Sequence, residues 1–469
     1  MQRICTIAAT SAAVLALAAC APSLKEPPRT ANLAVPATFQ ATQAGDAGEF
    51  ADTDWVDSFN APALAALVDE ALAHNRDLRA ASARVAQARA QARISGADLW
   101  PQIGLEAEAT QTRNGLRSGA ERETLYSAGL GVSWEADLWG RLASQQRSAA
   151  LAAEGAVYDF AGARLSLAGQ VSEGWFGLIV ARQQLELAQA TVGTYARAEQ
   201  IVRERHQAGL ASDLDLSLAI SNRQSAEALA RQRDQQLRES QRRLEVLLGR
   251  YPAAELVGGD VLPALPARPG AGVPSEVLAR RPDLQAGFAR LMSSRFDVAA
   301  AQRALLPRLT LTGSIGDSST SFSDAFDFKG ILATIIGNLT QPLFQGGRLR
   351  ANVDLTRAQE DEAVQRYAQT VLIAMREVED GLGAENLLGA REAALEEAAR
   401  QASSAERLAE LQYTNGLTNI LTLLDAQRRN LEAQSQLLDV RLIRMTNRVR
   451  LHVALGGSVQ PALAAGQES

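Results

Sequence analysis

Two hydrophobic periods alternate along this chain. From Gln102 to Thr112, Ile103, Leu105, Ala107 and Ala109 alternate with Gly104, Glu106, Glu108 and Thr110. From Leu125 to Glu135, Tyr126, Ala128, Leu130, Val132 and Trp134 alternate with Ser127, Gly129, Gly131, Ser133 and Glu135. A period of two over about 10–11 residues predicts strands with one apolar and one polar face, the length and pattern of a membrane-crossing β-strand. A third strand, about 308–316, alternates Leu309, Leu311 and Ile315 with Thr310, Thr312 and Ser314; a fourth, about 331–341, alternates less cleanly. A soluble sheet with one wet face would show the same pattern. The segments Arg113–Thr124 and Asp317–Lys329 read as surface loops, and the second carries Phe322, Phe326 and Phe328 for a lipid interface.

Between the strand pairs the pattern turns helical. No proline occurs between Pro101 and Pro252, or between Pro342 and Pro461. The Ala-, Arg-, Gln- and Glu-rich run with recurring leucines from Arg141 to about Gln207 predicts a helix about 100 Å long at ~1.5 Å per residue. Gly209 ends it, and Asp213 is placed to cap a return helix to about Leu248. The second half predicts the same pair: Gly347 to Gln412, a turn at Asn415-Gly416, then Ile420 to Leu455. Gly174 and Gly381 hold equivalent mid-helix positions, as a breach or a close packing contact requires. Ahead of the first strands, Pro62 opens a short helix through His74, and Asp77 is placed to cap a helix to about Asp98.

The order repeats because the sequence does. Asp77-Leu78 before Pro101 recurs as Asp283-Leu284 before Pro307, an offset of 206 (283 − 77). Gly209-Leu210 recurs as Gly416-Leu417 and Leu248-Gly249 as Leu455-Gly456, an offset of 207 (416 − 209). That period is too long for a solenoid unit of ~20–50 residues and indicates a duplicated module. The expected organisation is a signal at 1–19, an extended tether at 20–54, repeat 1 at 55–252, a linker at 253–273, repeat 2 at 274–457 and a flexible tail at 458–469.

The N-terminus sets the compartment. Arg3 precedes an apolar run, Thr6–Ala19, too short to span a bilayer, ending Leu17-Ala18-Ala19-Cys20. This resembles a bacterial lipoprotein signal, which implies that Cys20 becomes an acylated N-terminus; Ala21 after it implies the outer membrane. The alternative is a plain secretory peptide with an incidental Cys20. Residues from Ala21 to about Asp52, rich in Pro, Ala, Thr and Gly, read as a tether with little structure of its own. The formal net charge is −6 with no basic run, so nucleic acid is not an expected partner. Aromatics are only 5%, and the prominence of alanine suits closely packed long helices more than a wide globular core.

Four strands cannot close a barrel, and lipid does not tolerate an open edge. Closure therefore requires a cyclic oligomer. Two chains give eight strands and an interior filled by side chains; three give twelve, with room for a pore. The same axis would gather twelve helical segments, four from each chain, into a periplasmic duct.

Here the residues meet a family. Trp134-Glu135-Ala136-Asp137-Leu138-Trp139-Gly140-Arg141, Ala279-Arg280-Arg281-Pro282-Asp283-Leu284, Pro342-Leu343-Phe344-Gln345-Gly346-Gly347-Arg348-Leu349 and Leu424-Asp425-Ala426-Gln427-Arg428 together resemble the TolC-like outer-membrane efflux ducts, in their lipoprotein NodT or OprM-like branch. The resemblance covers the mature chain. It implies a mixed, mostly α fold: a homotrimer with a twelve-stranded β-barrel continued by a long periplasmic α-helical barrel. It also implies a passive duct that docks a periplasmic adaptor and an inner-membrane pump, usually of the resistance-nodulation-division class.

On that reading the turns at His206–Leu216 and Tyr413–Thr422 form the closed periplasmic tip. The branch often carries an aspartate where this chain has Thr418, beside Asn419, so Asp213 and Asp215 are the candidates for an acidic ring; the alternative is that Asp213 merely caps a helix and Asp215 faces solvent. Glu106, Glu108 and Glu135 would line an acidic lumen unless Arg113, Arg117 or Arg122 pair with them. Gly346-Gly347 suits a strand-to-helix bend, and Arg280-Arg281 suits helix-end ion pairs. His74, His206 and His452 lie far apart without ligand-spaced partners, and no phosphate loop, nucleophile elbow or Cys/His pair occurs, so neither enzyme activity nor a metal or other cofactor is expected. The few methionines, Met292, Met375 and Met445, offer no path for soft metal ions, which disfavours a heavy-metal duct; drug-like amphipathic cargo is the leading expectation, ahead of a heavy-metal or protein/peptide export system. The reading from another class is a structural envelope lipoprotein without a pore, for which alternating strands serve no purpose.

Overall fold

The computed structural model describes residues 33–41, 55–113, 122–270, 272–327 and 330–457. Cys20, most of the tether, Arg117, Phe328 and the C-terminal tail lie outside the described residues, as does the side chain of Phe326. Helices α1 (Pro62–His74) and α2 (Arg76–Ala97) lead to strands β1 (Gln102–Arg113) and β2 (Arg122–Ala136), then to helices α3 (Arg141–Gln207) and α4 (Asp213–Leu247). A short helix α5 (Pro274–Arg280) is followed by α6 (Pro282–Arg303), β3 (Arg308–Ser319), β4 (Leu332–Thr340), α7 (Arg348–Thr414) and α8 (Ile420–Ala454). Element lengths recur between the halves: 22 residues in α2 and α6, 67 in α3 and α7, 35 in α4 and α8. Among the described residues no helix is long and apolar enough to cross a membrane.

Two capping expectations are corrected. Asn75, not Asp77, caps α2: its Oδ1 accepts the Leu78 N–H at 2.9 Å. Ser212, not Asp213, caps α4, because its hydroxyl is one residue earlier, where the first free N–H groups point. Gly174 and Gly381 mark close packing, not a breach. A side chain at either would crowd Leu244 (3.3 Å) or Leu451 (3.2 Å), and both helices run through unbroken.

The chain divides into two compact units. One comprises the sheet with residues 83–158 and 285–369. Its four strands pair antiparallel in the order β1-β2-β3-β4, so β2 and β3, from different halves, are neighbours. The register holds like against like. Leu105 faces Leu130, which faces Ile315; Ile103 faces Val132; Leu309 faces both Ala136 and Leu339. Since partners directly opposite share a face, these apolar residues form one continuous side, while Leu125, Leu332 and Ile336 fall on the other. That side is solvent-accessible in the single chain: Ile103 is 71% exposed, Leu105 80% and Ile335 87%.

The Trp134–Arg141 stretch is the corner between β2 and α3. Trp134 Nε1 donates to Leu99 O (2.9 Å) and Trp139 Nε1 to Pro307 O (2.7 Å). Asp137 Oδ2 accepts the Ala143 N–H at 2.8 Å, and Arg303 donates to Gly140 O at 2.9 Å. At the matching corner before α7, Gly346 (φ 59°) and Gly347 (φ 84°) both take left-handed backbone, which side-chain-bearing residues rarely adopt.

The other unit is helical. Trp55, Phe59, Leu64, Val171, Phe176, Ile179, Leu244 and Val449 are buried in one cluster. Part of the presumed tether is docked here, contrary to the expectation that it lacks structure: Phe39 is buried against Val378, Leu382 and Leu451, and the N–H groups of Gln40 and Ala41 donate to the Glu379 carboxylate at 2.7 and 2.8 Å. Among the described residues of 253–273 there is no helix or strand, yet the segment is held. Buried Glu245 accepts the N–H groups of Ala254, Glu255 and Leu256 at 2.8, 2.8 and 3.0 Å. Burial pushes that carboxyl up, and the three donors more than reverse it, leaving its pKa below the ordinary value. Arg281 joins Asp283 (2.7 Å) and Glu377 (2.8 Å) and donates to Ala454 O at 3.0 Å, a helix-end tie.

Candidate functional site

Two places hold the residues singled out from the sequence: the polar face of the sheet, and the two helix turns of the helical unit.

On the sheet, Glu106 faces Gly129, Glu108 faces Ser127 and Glu135 faces Thr310, so all three glutamates belong to the face opposite Leu105, Leu130 and Leu309. Glycine makes that face close-fitting. A Cβ on Gly129 would lie 2.6 Å from Ile315 O, and one on Gly316 would lie 2.5 Å from Ala128 O, so these partners need glycine on both strands. Gly131 leaves room for the Glu106 carboxylate, whose Oε1 lies 2.8 Å from where a Cβ would stand. Glu108 Oε1 accepts the Thr110 hydroxyl at 2.8 Å. Glu135 differs from the other two. Arg141 (2.7 Å) and Arg308 (3.6 Å) flank it. Its charge is balanced at the corner by Arg141, six residues on, and by Arg308, which only the fold brings near.

At the first turn, Gly209 (φ 71°) ends α3, and Ser212 and Asp215 form a reciprocal box. Ser212 Oγ accepts the Asp215 N–H (3.2 Å), and Asp215 Oδ2 accepts the Ser212 N–H (2.9 Å). Asp215 is thus engaged in the cap. Asp213 stands on the first turn of α4, its side chain 97% exposed, with Oδ1 2.7 Å from His206 Nε2. At the second turn Asn419 caps α8, its Oδ1 accepting from Thr422 N and Oγ1, both at 3.0 Å. Thr418, half-buried, precedes it. Leu210, Leu214, Leu417 and Leu421 are all more than half exposed around these turns.

The residues that join the two hairpins were not legible as candidates. Arg205 of α3 donates Nη1 to Tyr413 O of α7 at 2.8 Å, and its guanidinium carbon lies 5.0 Å from the Tyr413 ring centroid. Beneath, Tyr195, Val202, Ala219, Tyr413, Ile420 and Leu423 are buried together. Glu199 of α3 is bound by Arg203 and by Arg223 of α4, each at 2.5 Å. The i,i+4 spacing of Glu199 and Arg203 was the available signal; Arg223 is brought there only by the turn.

The four-stranded sheet with an exposed apolar side and the long helical hairpins are the features that comparison with known families matches. The outer membrane efflux protein model matches residues 67–250 and 273–457, and the chain belongs to that family, whose members are passive ducts and not enzymes. The pyoverdine export outer membrane protein OpmQ of Pseudomonas putida is 34% identical over 95% of this chain and 96% of its own. The cation efflux system protein CusC of Escherichia coli is 30% identical over 95% and 97%. The solved outer-membrane channel OprN superposes with a TM-score of 0.85 at 27% identity, covering 93% of this chain and 98% of that one.

Proposed function

We propose that this outer-membrane efflux protein works as a trimer whose three four-stranded sheets close a twelve-stranded barrel. The observation that carries this reading is the sheet itself: an exposed apolar side in continuous register, a polar side with Glu106 and Glu108, and unpaired outer edges at β1 and β4. In lipid those edges require partners, and β4 of one copy is the natural partner of β1 of the next. The two helical hairpins of each copy continue the duct in the periplasm, Cys20 anchors it by acyl chains, and an adaptor and an inner-membrane pump supply cargo and energy. The helix turns form the resting gate.

Amphipathic organic compounds are the proposed cargo, with multidrug efflux leading. The names of the relatives do not decide this, since one exports pyoverdine and another belongs to a cation efflux system. Deleting the gene and measuring susceptibility across cationic drugs, detergents, dyes, copper and silver separates the cases. Sensitisation to organic compounds alone supports the proposal, and sensitisation to metals alone overturns it in favour of a metal duct. In planar bilayers the purified protein should conduct with cation preference, and a double Asp213→Ala, Asp215→Ala variant should reduce that preference. Unchanged selectivity would remove the two aspartates from the gate.

A further inference from the structure

In the helical unit a cleft of ≈ 480 Å³ lies between the irregular segment around Pro266 and helices α7 and α8. Arg268, Arg444 and Arg448 line it, and Glu385 is the one carboxylate among its described lining residues. Arg448 is 2% exposed and Glu385 4%. Arg448 donates Nη1 to Pro266 O and lies 2.9 Å from Glu385 Oε1 through Nη2. Arg444 donates Nε to that same oxygen at 3.2 Å and Nη1 to Glu392 at 2.9 Å. The other Glu385 oxygen accepts from Asn447 at 3.3 Å. Arg268 donates Nη2 to Asn386 Oδ1 at 2.9 Å and to Leu382 O at 3.3 Å. Glu385 is therefore shared between two arginines, and the buried Nε of Arg448 meets no acceptor.

Packing does not require this arrangement. The residues 207 positions earlier (385 − 207, 444 − 207, 448 − 207) are Leu178, Leu237 and Gln241. Leu178 is buried in the main core and Leu237 packs against it. The first half thus fills two of the three equivalent positions with apolar side chains, a substitution that buried ion pairs often tolerate without loss of stability, while Gln241 at the third donates to Leu256 O at 3.0 Å. Burial pulls the Arg448 guanidinium below its ordinary range, Glu385 opposes the pull, and Arg444 and Arg268 add to it, as excess positive charge does. Arginine forks match oxyanions in shape and charge.

We propose that the cleft is an anion-binding site that takes a carboxylate or phosphate group between Arg268, Arg444 and Arg448. A bound oxyanion ties the irregular segment to α7 and α8.

Calorimetric titration of the purified full-length protein in detergent tests this, with inorganic phosphate in one arm and acetate in the other. Chloride keeps the ionic strength constant. Saturable binding of either anion is expected, and the stronger arm identifies the oxyanion geometry. Arg448→Gln should weaken it at least about tenfold, because a hydrogen bond to a charged group is lost. Glu385→Gln, which removes the competing carboxylate, should tighten it. Should Arg448→Gln fail to fold, Arg444→Gln serves with the same expected loss. The proposal is overturned by no saturable heat with either anion, by unchanged affinity in the arginine variants, or by weaker binding in Glu385→Gln.

Discussion

Glu199 in the first hairpin and Glu406 in the second stand 207 residues apart (406 − 199), and the residues facing them, Arg223 and Asn430, are also 207 apart (430 − 223). The backbones match and the chemistry does not. Around Glu199, burial raises the carboxyl pKa, but Arg203 and Arg223 carry it below the ordinary 4.5. Glu406 has only the Asn430 amide as a direct partner among the described contacts; burial dominates, Glu410 adds to it, Arg197 and Arg407 oppose it, and the carboxyl is pushed above 4.5. Glu245 and His452 make the same contrast at the other end of the return helices (452 − 245). Glu245 keeps its charge because three N–H groups meet it. His452, stacked on Trp55 at 5.7 Å, gives up its charge, burial and then Arg448 lowering its pKa to about 4. Residues at corresponding places in the two halves, 207 apart, share a backbone position without sharing a charge state. The first hairpin is therefore closed by ion pairs at neutral pH, while the second contains a carboxylate that folding disfavours.

Substitutions at Glu245, His452 and Asn430 would sharpen or break that contrast. The largest effect belongs to Glu245→Leu, which strands three backbone donors and should cost roughly 3 kcal/mol, read as a lower melting temperature by circular dichroism. A melt identical to wild type would mean water replaces the carboxylate. Next is His452→Phe. The folded state excludes the proton that the unfolded chain takes up below 6.5, so wild-type stability should fall as pH drops from 6.5 toward 4. The variant escapes that loss and should gain about 2 kcal/mol near pH 5 and nothing near pH 8. A gain of equal size at both pH values would assign it to packing instead. Smallest is Asn430→Arg, which gives Glu406 the partner Glu199 already has and should add up to about 1 kcal/mol at neutral pH. It also reverses the pH sign. With its pKa raised, wild-type Glu406 contributes stability below 4.5 that is lost as pH rises through its folded value; once depressed by arginine, it contributes above 4.5 and loses as pH falls. A hairpin whose acid response is the same in variant and wild type would refute the pairing.

Much of the fold was legible because its periods are strong. Glycine-terminated runs without proline gave α3 and α4 to within a residue, and strict alternation gave β1 and β2. The ends of elements were less legible. Asn75 and Ser212 outcompete the nearby Asp77 and Asp213 as caps, and which polar residue meets the free N–H groups is decided by single-residue geometry. Of the candidate site residues, Asp213, Asp215, Thr418 and Asn419 do gather at the turns, and Glu106, Glu108 and Glu135 share one sheet face. Their engagement was hidden: Asp215 is held in a capping box, and Glu135 is flanked by Arg308, far along the chain.

By itself the sequence determined the recurrence of element lengths, the order of elements and the two faces of β1 and β2, since all three are written in local spacing. Tertiary structure decided which strand from each half lies beside the other, that Arg205 reaches Tyr413, and that Arg444 and Arg448 converge on Glu385 beside Arg268. Those depend on the register and rotation of elements far apart in the chain, and a local pattern does not encode them.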